Sequence, residues 1–64
     1  MCEANAFLKK KEDTDYTEFL TAVDIVKPTE NGLLLENIFG ERKIIRAKIT
    51  GLQLVDHKIL LEEE

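Results

Sequence analysis

Ala22-Val23-Asp24-Ile25-Val26-Lys27-Pro28-Thr29-Glu30-Asn31-Gly32-Leu33-Leu34-Leu35-Glu36-Asn37-Ile38 is the stretch that decides the fold, because two apolar runs meet there across a polar turn. Val23 and Ile25 alternate with Asp24, which is the periodicity of a strand rather than a helix. Pro28 lacks the N–H that a ladder requires and is expected to end this strand. Thr29 to Gly32 is the tightest turn in the chain, and its Asn31-Gly32 pair suits the positive φ angles of a type I′ hairpin. Leu33 to Ile38 is an almost continuous apolar run, expected for a strand covered on both faces or lying at a contact between two chains. Three consecutive leucines cannot all face one side of a strand, so Leu34 is a candidate interface residue.

Working outward, Cys2 to Lys10 reads as a first strand, with Cys2, Ala4, Ala6 and Leu8 on one face and Glu3, Asn5, Phe7 and Lys9 on the other. Lys11 to Asp15 is wholly polar and reads as a connection, followed by a short strand from Tyr16 to Leu20. Beyond the central hairpin, Phe39-Gly40-Glu41 makes a second turn. Arg42 to Val55 is too long for a flat strand and carries Gly51 in its middle, where a missing side chain marks a bulge or a bend. Ile45, Ala47 and Ile49 share one parity and Leu52 and Leu54 the other, which is what one extra residue at a bulge produces. Asp56-His57 makes the last turn, Lys58 to Leu61 a closing strand, and Glu62 to Glu64 an acidic tail. The expectation is a single all-β domain over residues 1–64, a small SH3-like or Sm-like barrel of five to seven short strands.

A chain of 64 residues buries only roughly 60% of the surface its unfolded form exposes, so one small core needs further support. A single Cys closes no bridge within the chain, which leaves a metal or self-association. The formal charge of −4, from 13 acidic and 9 basic residues, disfavours a nonspecific nucleic-acid binder, which needs cationic surface to displace counterions. The start MCEANAF has no basic stretch followed by an apolar core, and no apolar segment approaches the roughly 20 residues that cross a bilayer. A cytoplasmic protein without membrane attachment is expected, and a lone thiol fits a reducing compartment.

Cys2 is the candidate metal ligand. Its thiolate and a nitrogen of the same residue close a five-membered chelate ring, and soft sulfur with nitrogen suits Ni(II), Cu or Zn better than Mg or Ca. Without a second Cys or a CxxC pair, no closed zinc site is expected from one chain. The competing reading makes Cys2 a small hydrophobe in the first strand, since free Cys is among the most buried residue types.

The start Met1-Cys2-Glu3-Ala4-Asn5, the central Leu35-Glu36-Asn37-Ile38-Phe39-Gly40-Glu41 and the closing Val55-Asp56-His57-Lys58-Ile59 resemble the CooT family of small nickel-binding proteins over essentially the whole chain. The resemblance implies a homodimer that serves as an accessory factor for nickel insertion into carbon monoxide dehydrogenase, with a nickel enzyme or its maturation machinery as partner. It also implies that the cysteine after the initiator methionine, Cys2 here, is tied to Ni(II). Many relatives have instead been labelled RNA-binding from their barrel-like shape, so a small RNA-binding barrel without a metal role is the alternative. One chain offers two or three donors at Cys2, whereas square-planar Ni(II) takes four. Two Cys2 residues meeting across a twofold axis would supply them.

His57, the only histidine, reads as a solvated turn residue, although a ligand or general base is conceivable for its type. No GxSxG or comparable nucleophile signature is present, and the three glycines lie singly, so neither an enzyme nor a phosphate-cradling loop is expected. Lys9-Lys10-Lys11 and Arg42-Lys43 with Arg46 and Lys48 are the best case for RNA. Phe7, Tyr16, Phe19 and Phe39 are the only aromatics that could serve as stacking platforms beside them.

Overall fold

The chain bends hardest along one strand, and the sheet is built around that bend. The computed structural model describes residues 3–64, in which six strands and no helix occur. These are β1 (Ala4–Lys9), β2 (Thr17–Thr29), β3 (Gly32–Asn37), β4 (Arg42–Ile45), β5 (Ala47–Gln53) and β6 (Lys58–Glu63). They form one sheet in the order β4-β3-β2-β1-β6-β5, with β1 and β6 parallel and every other pair antiparallel.

β2 runs through the two strands expected at Tyr16–Leu20 and Ala22–Lys27, because three register shifts bend it without interrupting its pairing. The sharpest lies where Ala4 faces Val23 but Ala6 faces Leu20, so an extra β2 residue is accommodated. Ala22 takes a left-handed φ of 54° there. That conformation costs an L-residue about 1–2 kcal/mol. Two hydrogen bonds offset it: the Ala22 N–H donates to Asn5 Oδ1 at 3.1 Å, and the Ile38 N–H donates to the Ala22 carbonyl at 3.0 Å. Pro28 does not end β2 as expected; it pairs with Leu33, and Thr29 pairs with Gly32. The final half of β2 has a hydrogen-bonded neighbour on the β3 side only, so proline's missing N–H faces an edge and leaves no gap.

The central hairpin also turns differently from expectation. Thr29 pairs with Gly32, so Glu30 and Asn31 are the two loop residues. Neither has positive φ, which excludes a type I′ turn; only Gly32 is left-handed, at φ 129°. The Thr29 hydroxyl holds the loop, donating to the Gly32 carbonyl at 2.8 Å and accepting from the Asn31 N–H at 3.2 Å.

β4 and β5 stand at opposite ends of the sheet yet are separated in sequence by Arg46 alone. The sheet must therefore coil until its ends meet at that residue. It does not close into the expected barrel: β4 and β5 share no ladder, because a one-residue corner sends them apart from a common point. The expected single strand from Arg42 to Val55 is thus broken at Arg46, and the anticipated bulge falls between Ile49 and Gly51, opposite Leu61 and Leu60.

Inside the coil lie Ala6 and Leu8 of β1, Leu20 and Val23 of β2, Leu35 of β3, Ala47 of β5, and Ile59 and Leu61 of β6. Each large aliphatic side chain so buried contributes roughly 1.5–3 kcal/mol. The alanines let the backbone layers approach. Asn37 is the buried polar residue beside this core, and both its side-chain oxygen and its nitrogen have partners. Its Oδ1 accepts from the N–H groups of Phe39 (3.1 Å) and Glu41 (2.9 Å), while Nδ2 donates to Glu41 Oε1 at 2.6 Å. The alternation predicted for the first strand holds over Ala4, Ala6 and Leu8; Cys2 lies outside the described residues. Leu34 is half-buried on the outer face, paired with Lys27 and Ile44.

The acidic end is no solvated tail. Glu62 and Glu63 belong to β6, half-buried, with Glu62 opposite both Lys9 and Lys48. β6 has neighbours on both sides, so its backbone is paired, and the Glu62 carboxylate accepts from the Tyr16 hydroxyl at 3.3 Å, while Glu64, beyond the strand, is exposed.

A Cβ added at Gly32 would lie 2.5 Å from the Ile45 carbonyl oxygen, at a φ that other residues avoid. Gly32→Ala is expected to destabilise the protein by more than about 2 kcal/mol in urea or thermal unfolding, from combined backbone strain and overpacking.

Candidate functional site

The start of β1 is bolted to the turn that joins β5 to β6. The Asn5 N–H donates to the His57 carbonyl at 2.8 Å, and the His57 N–H closes the turn on the Leu54 carbonyl at 3.3 Å. His57 holds φ 56°, a left-handed conformation that histidine tolerates better than most residues. It is the exposed turn residue the sequence suggested.

A cavity of about 230 Å³ opens at this junction, lined by Glu3, Ala4, Leu54, His57, Lys58 and Ile59. It is below the roughly 300–1,000 Å³ typical of drug-sized ligands, so it suits one side chain or a small group. Glu3 and His57 are the lining residues whose types could ligate a metal, and Lys58 directs its ammonium to the Phe7 ring, 5.6 Å from the centroid. Cys2 lies outside the described residues; Glu3, to which it is joined by one peptide bond, lines the cavity. Among the described residues no three His, Cys, Asp or Glu side chains gather as a metal site.

The wall beside the cavity is apolar and uncovered. Ile49 pairs with Leu61 and Leu52 with Ile59, so both belong to the core face of β5. They reach that common face although three positions apart because the bulge at Thr50 resets the alternation. Yet Leu52 is 56% exposed and Ile49 is exposed too, and Leu54 and Val55 in the adjoining turn are exposed at 77% and 92%. The sequence put Ile45, Ala47 and Ile49 inward together. Ala47 is buried and Ile45 half-buried, whereas Ile49, on the same inward face, keeps 44% of its surface exposed. No motif in the sequence marks this cavity or wall as a site; the parity switch at Gly51 is the signal that contains the wall.

The cationic groups proposed for RNA are spread and partly occupied. Lys43 donates to the Phe19 carbonyl at 2.8 Å and lies 4.7 Å from its ring centroid, and Arg42 pairs with Glu36 at 2.9 Å. The Tyr16 hydroxyl lies 3.1 Å from Thr50 Oγ1 and 3.3 Å from Glu62 Oε2. Phe7 and Phe19 are half-buried under lysines; Phe39 is the exposed aromatic, at 73%.

The profile of the family described as "CO dehydrogenase accessory protein CooT" matches residues 1–62. Among solved structures, a crystal structure provisionally assigned as CooT from Carboxydothermus hydrogenoformans superposes with a TM-score of 0.89 at 59% identity, covering 98% of each chain. No curated protein matches. The match over nearly the whole chain and the shared open six-stranded fold place the protein in a definite group: it belongs to the CooT family of CO dehydrogenase accessory proteins.

Proposed function

We propose that the protein is a nickel-binding accessory factor that takes up Ni(II) as cargo through Cys2 at a site shared by two copies and delivers it to a nickel enzyme or its maturation machinery in the cytoplasm. The observation that carries this reading is the family match beginning at residue 1, and so including Cys2, on a chain whose third residue lines a cavity with an uncovered apolar wall. Cys2 supplies the thiolate and a neighbouring nitrogen. A free α-amine and a thiol both have ordinary pKa values within reach of neutral pH, so nickel displaces their protons and binding strengthens as pH rises. One chain falls short of four donors, and a second copy completes the set.

The wall of Ile49, Leu52, Leu54 and Val55 gives that second copy a surface to cover, since a small soluble domain gains by removing such a patch from water. Packed together, two walls would exclude water beside the thiolates. A site formed between copies is also one that opens when the copies separate, which suits cargo that must be released. The role is carriage rather than catalysis.

Native mass spectrometry of untagged protein titrated with Ni(II) tests the proposal in one spectrum. A dimer carrying one nickel, absent from Cys2→Ala, is expected. A protein that takes no nickel, or takes it equally well without the thiol, overturns the reading and leaves the RNA-binding alternative to be tested by salt-dependent RNA binding.

Leu52→Glu and Leu54→Glu probe the shared site without touching a ligand. Both side chains are exposed in one chain, so each variant should still fold, with a β-sheet circular dichroism spectrum, while losing whatever stability the contact between copies supplies. Sedimentation should shift toward monomer, and nickel affinity should fall at least about ten-fold, a loss of roughly 1.4 kcal/mol. Unchanged mass and affinity would place the contact elsewhere.

A further inference from the structure

β4 is hydrogen-bonded to β3 alone, so its far edge presents unpaired backbone donors and acceptors. Its first three residues, Arg42, Lys43 and Ile44, are exposed. The other end of the sheet is protected differently: β5 is interrupted by the bulge at Thr50, where Tyr16 lies across it. The second half of β2 also has a neighbour on one side only, but Pro28 lies in that free edge; β4 is, among the described residues, the regular open edge without a proline.

The strand itself and the corner after it carry cations only, with Glu36 of β3 as the carboxylate beside them. Between Glu41 and Asp56 the sequence holds Arg42, Lys43, Arg46 and Lys48 and no carboxylate, in a chain of formal charge −4. Lys43 is engaged with Phe19, but Arg42 keeps 71% of its side chain in solvent despite its pairing with Glu36, and Arg46 is exposed at the corner. Ile44 follows Arg42 on the same outer face, 55% exposed, opposite Leu34. The edge thus shows a cation, an apolar side chain and a second cation at alternate positions.

This pattern chooses among occupants. A second copy pairing β4 to β4 would bring Arg42 and Lys43 against the same basic cluster, and like charges across strands are destabilising. The chain's own acidic and apolar strand, β6, has both edges filled by β1 and β5 and cannot be lent. A nucleic acid would set phosphates near Glu36 and would leave the backbone edge unused. An extended protein segment with acid, apolar and acid residues at alternate positions satisfies the backbone, Ile44 and the two arginines at once. We propose that β4 is a docking edge at which another protein adds such a segment as a further strand. The surface is separate from the nickel site and does not depend on it.

The sheet offers a convenient tether for the test, because the Glu64 N–H donates to the Arg46 carbonyl at 3.0 Å and the chain ends beside this corner. The segment Glu-Thr-Val-Thr-Glu is fused after Glu64 through a flexible Gly-Ser linker, and amide exchange is followed by NMR. Exchange of β4 amides should slow at least about ten-fold relative to the unfused protein, given the effective concentration a short linker provides. That protection should be lost when both glutamates of the segment are lysine, and in Ile44→Glu, with nickel uptake unchanged in each. Absence of protection, equal protection by the lysine segment, or protection of β4 already present in the unfused protein would overturn the proposal. So would saturable shifts of the β4 amides on adding a single-stranded RNA oligomer to the unfused protein.

Discussion

The structure depends on one residue holding an unfavourable conformation. Ala22 is left-handed, with no glycine to ease it, and two hydrogen bonds from different elements fix it there: its N–H reaches the Asn5 side chain on β1, and its carbonyl is met by Ile38 beyond β3. The bend lets the first half of β2 pair with β1 and the second half with β3. A straight strand of 13 residues would carry both pairings in one flat plane, with no inside for Leu20, Val23 and Leu35 to share. Coiling follows from the bend, and the meeting of β4 with β5 at Arg46 follows from the coiling.

At the far side of the coil a second irregularity has the opposite effect. The extra residue at Thr50 keeps Ile49 and Leu52 on the core face, but both stay exposed, with no strand among the described residues covering them fully. A larger protein would cover such residues with another element. Here the sheet ends, and the uncovered wall runs on from the cavity beside Glu3. A chain this small has little surface to spare for covering such a wall, which is the ground on which a second copy is proposed to cover it.

Charge is arranged as economically as apolar surface. Glu62 is set between two lysines across neighbouring strands, Glu36 meets Arg42, and Glu41 is drawn onto Asn37 to shape the turn that exposes Phe39. Of the cations, Arg42, Lys43 and Arg46 gather along the β4 edge and its corner. A basic edge on an acidic chain resists pairing with its own copy while staying open to a partner of the other sign.

Much of this was legible in the residues themselves. Alternation identified the strands, the turn residues separated them, and the change of parity around Gly51 located a bulge, because each signal is local and each apolar face must be buried. Three signals misled. Asn31-Gly32 suggested a left-handed pair, but Thr29 holds the loop so that Gly32 alone turns. Pro28 suggested a strand end, but lies where no N–H is needed. Glu62–Glu64 suggested a free tail, but β6 has a neighbour on each side. All three errors have one cause, since the cost of a missing donor, a charge or a positive φ depends on what lies across the ladder. Cys2 as the candidate ligand came from the sequence and remains a property of it. Which residues surround the chain beside it, which apolar wall stays bare and which edge stays open were decided by tertiary structure, because strand order in a coiled sheet is a long-range choice that no local pattern encodes.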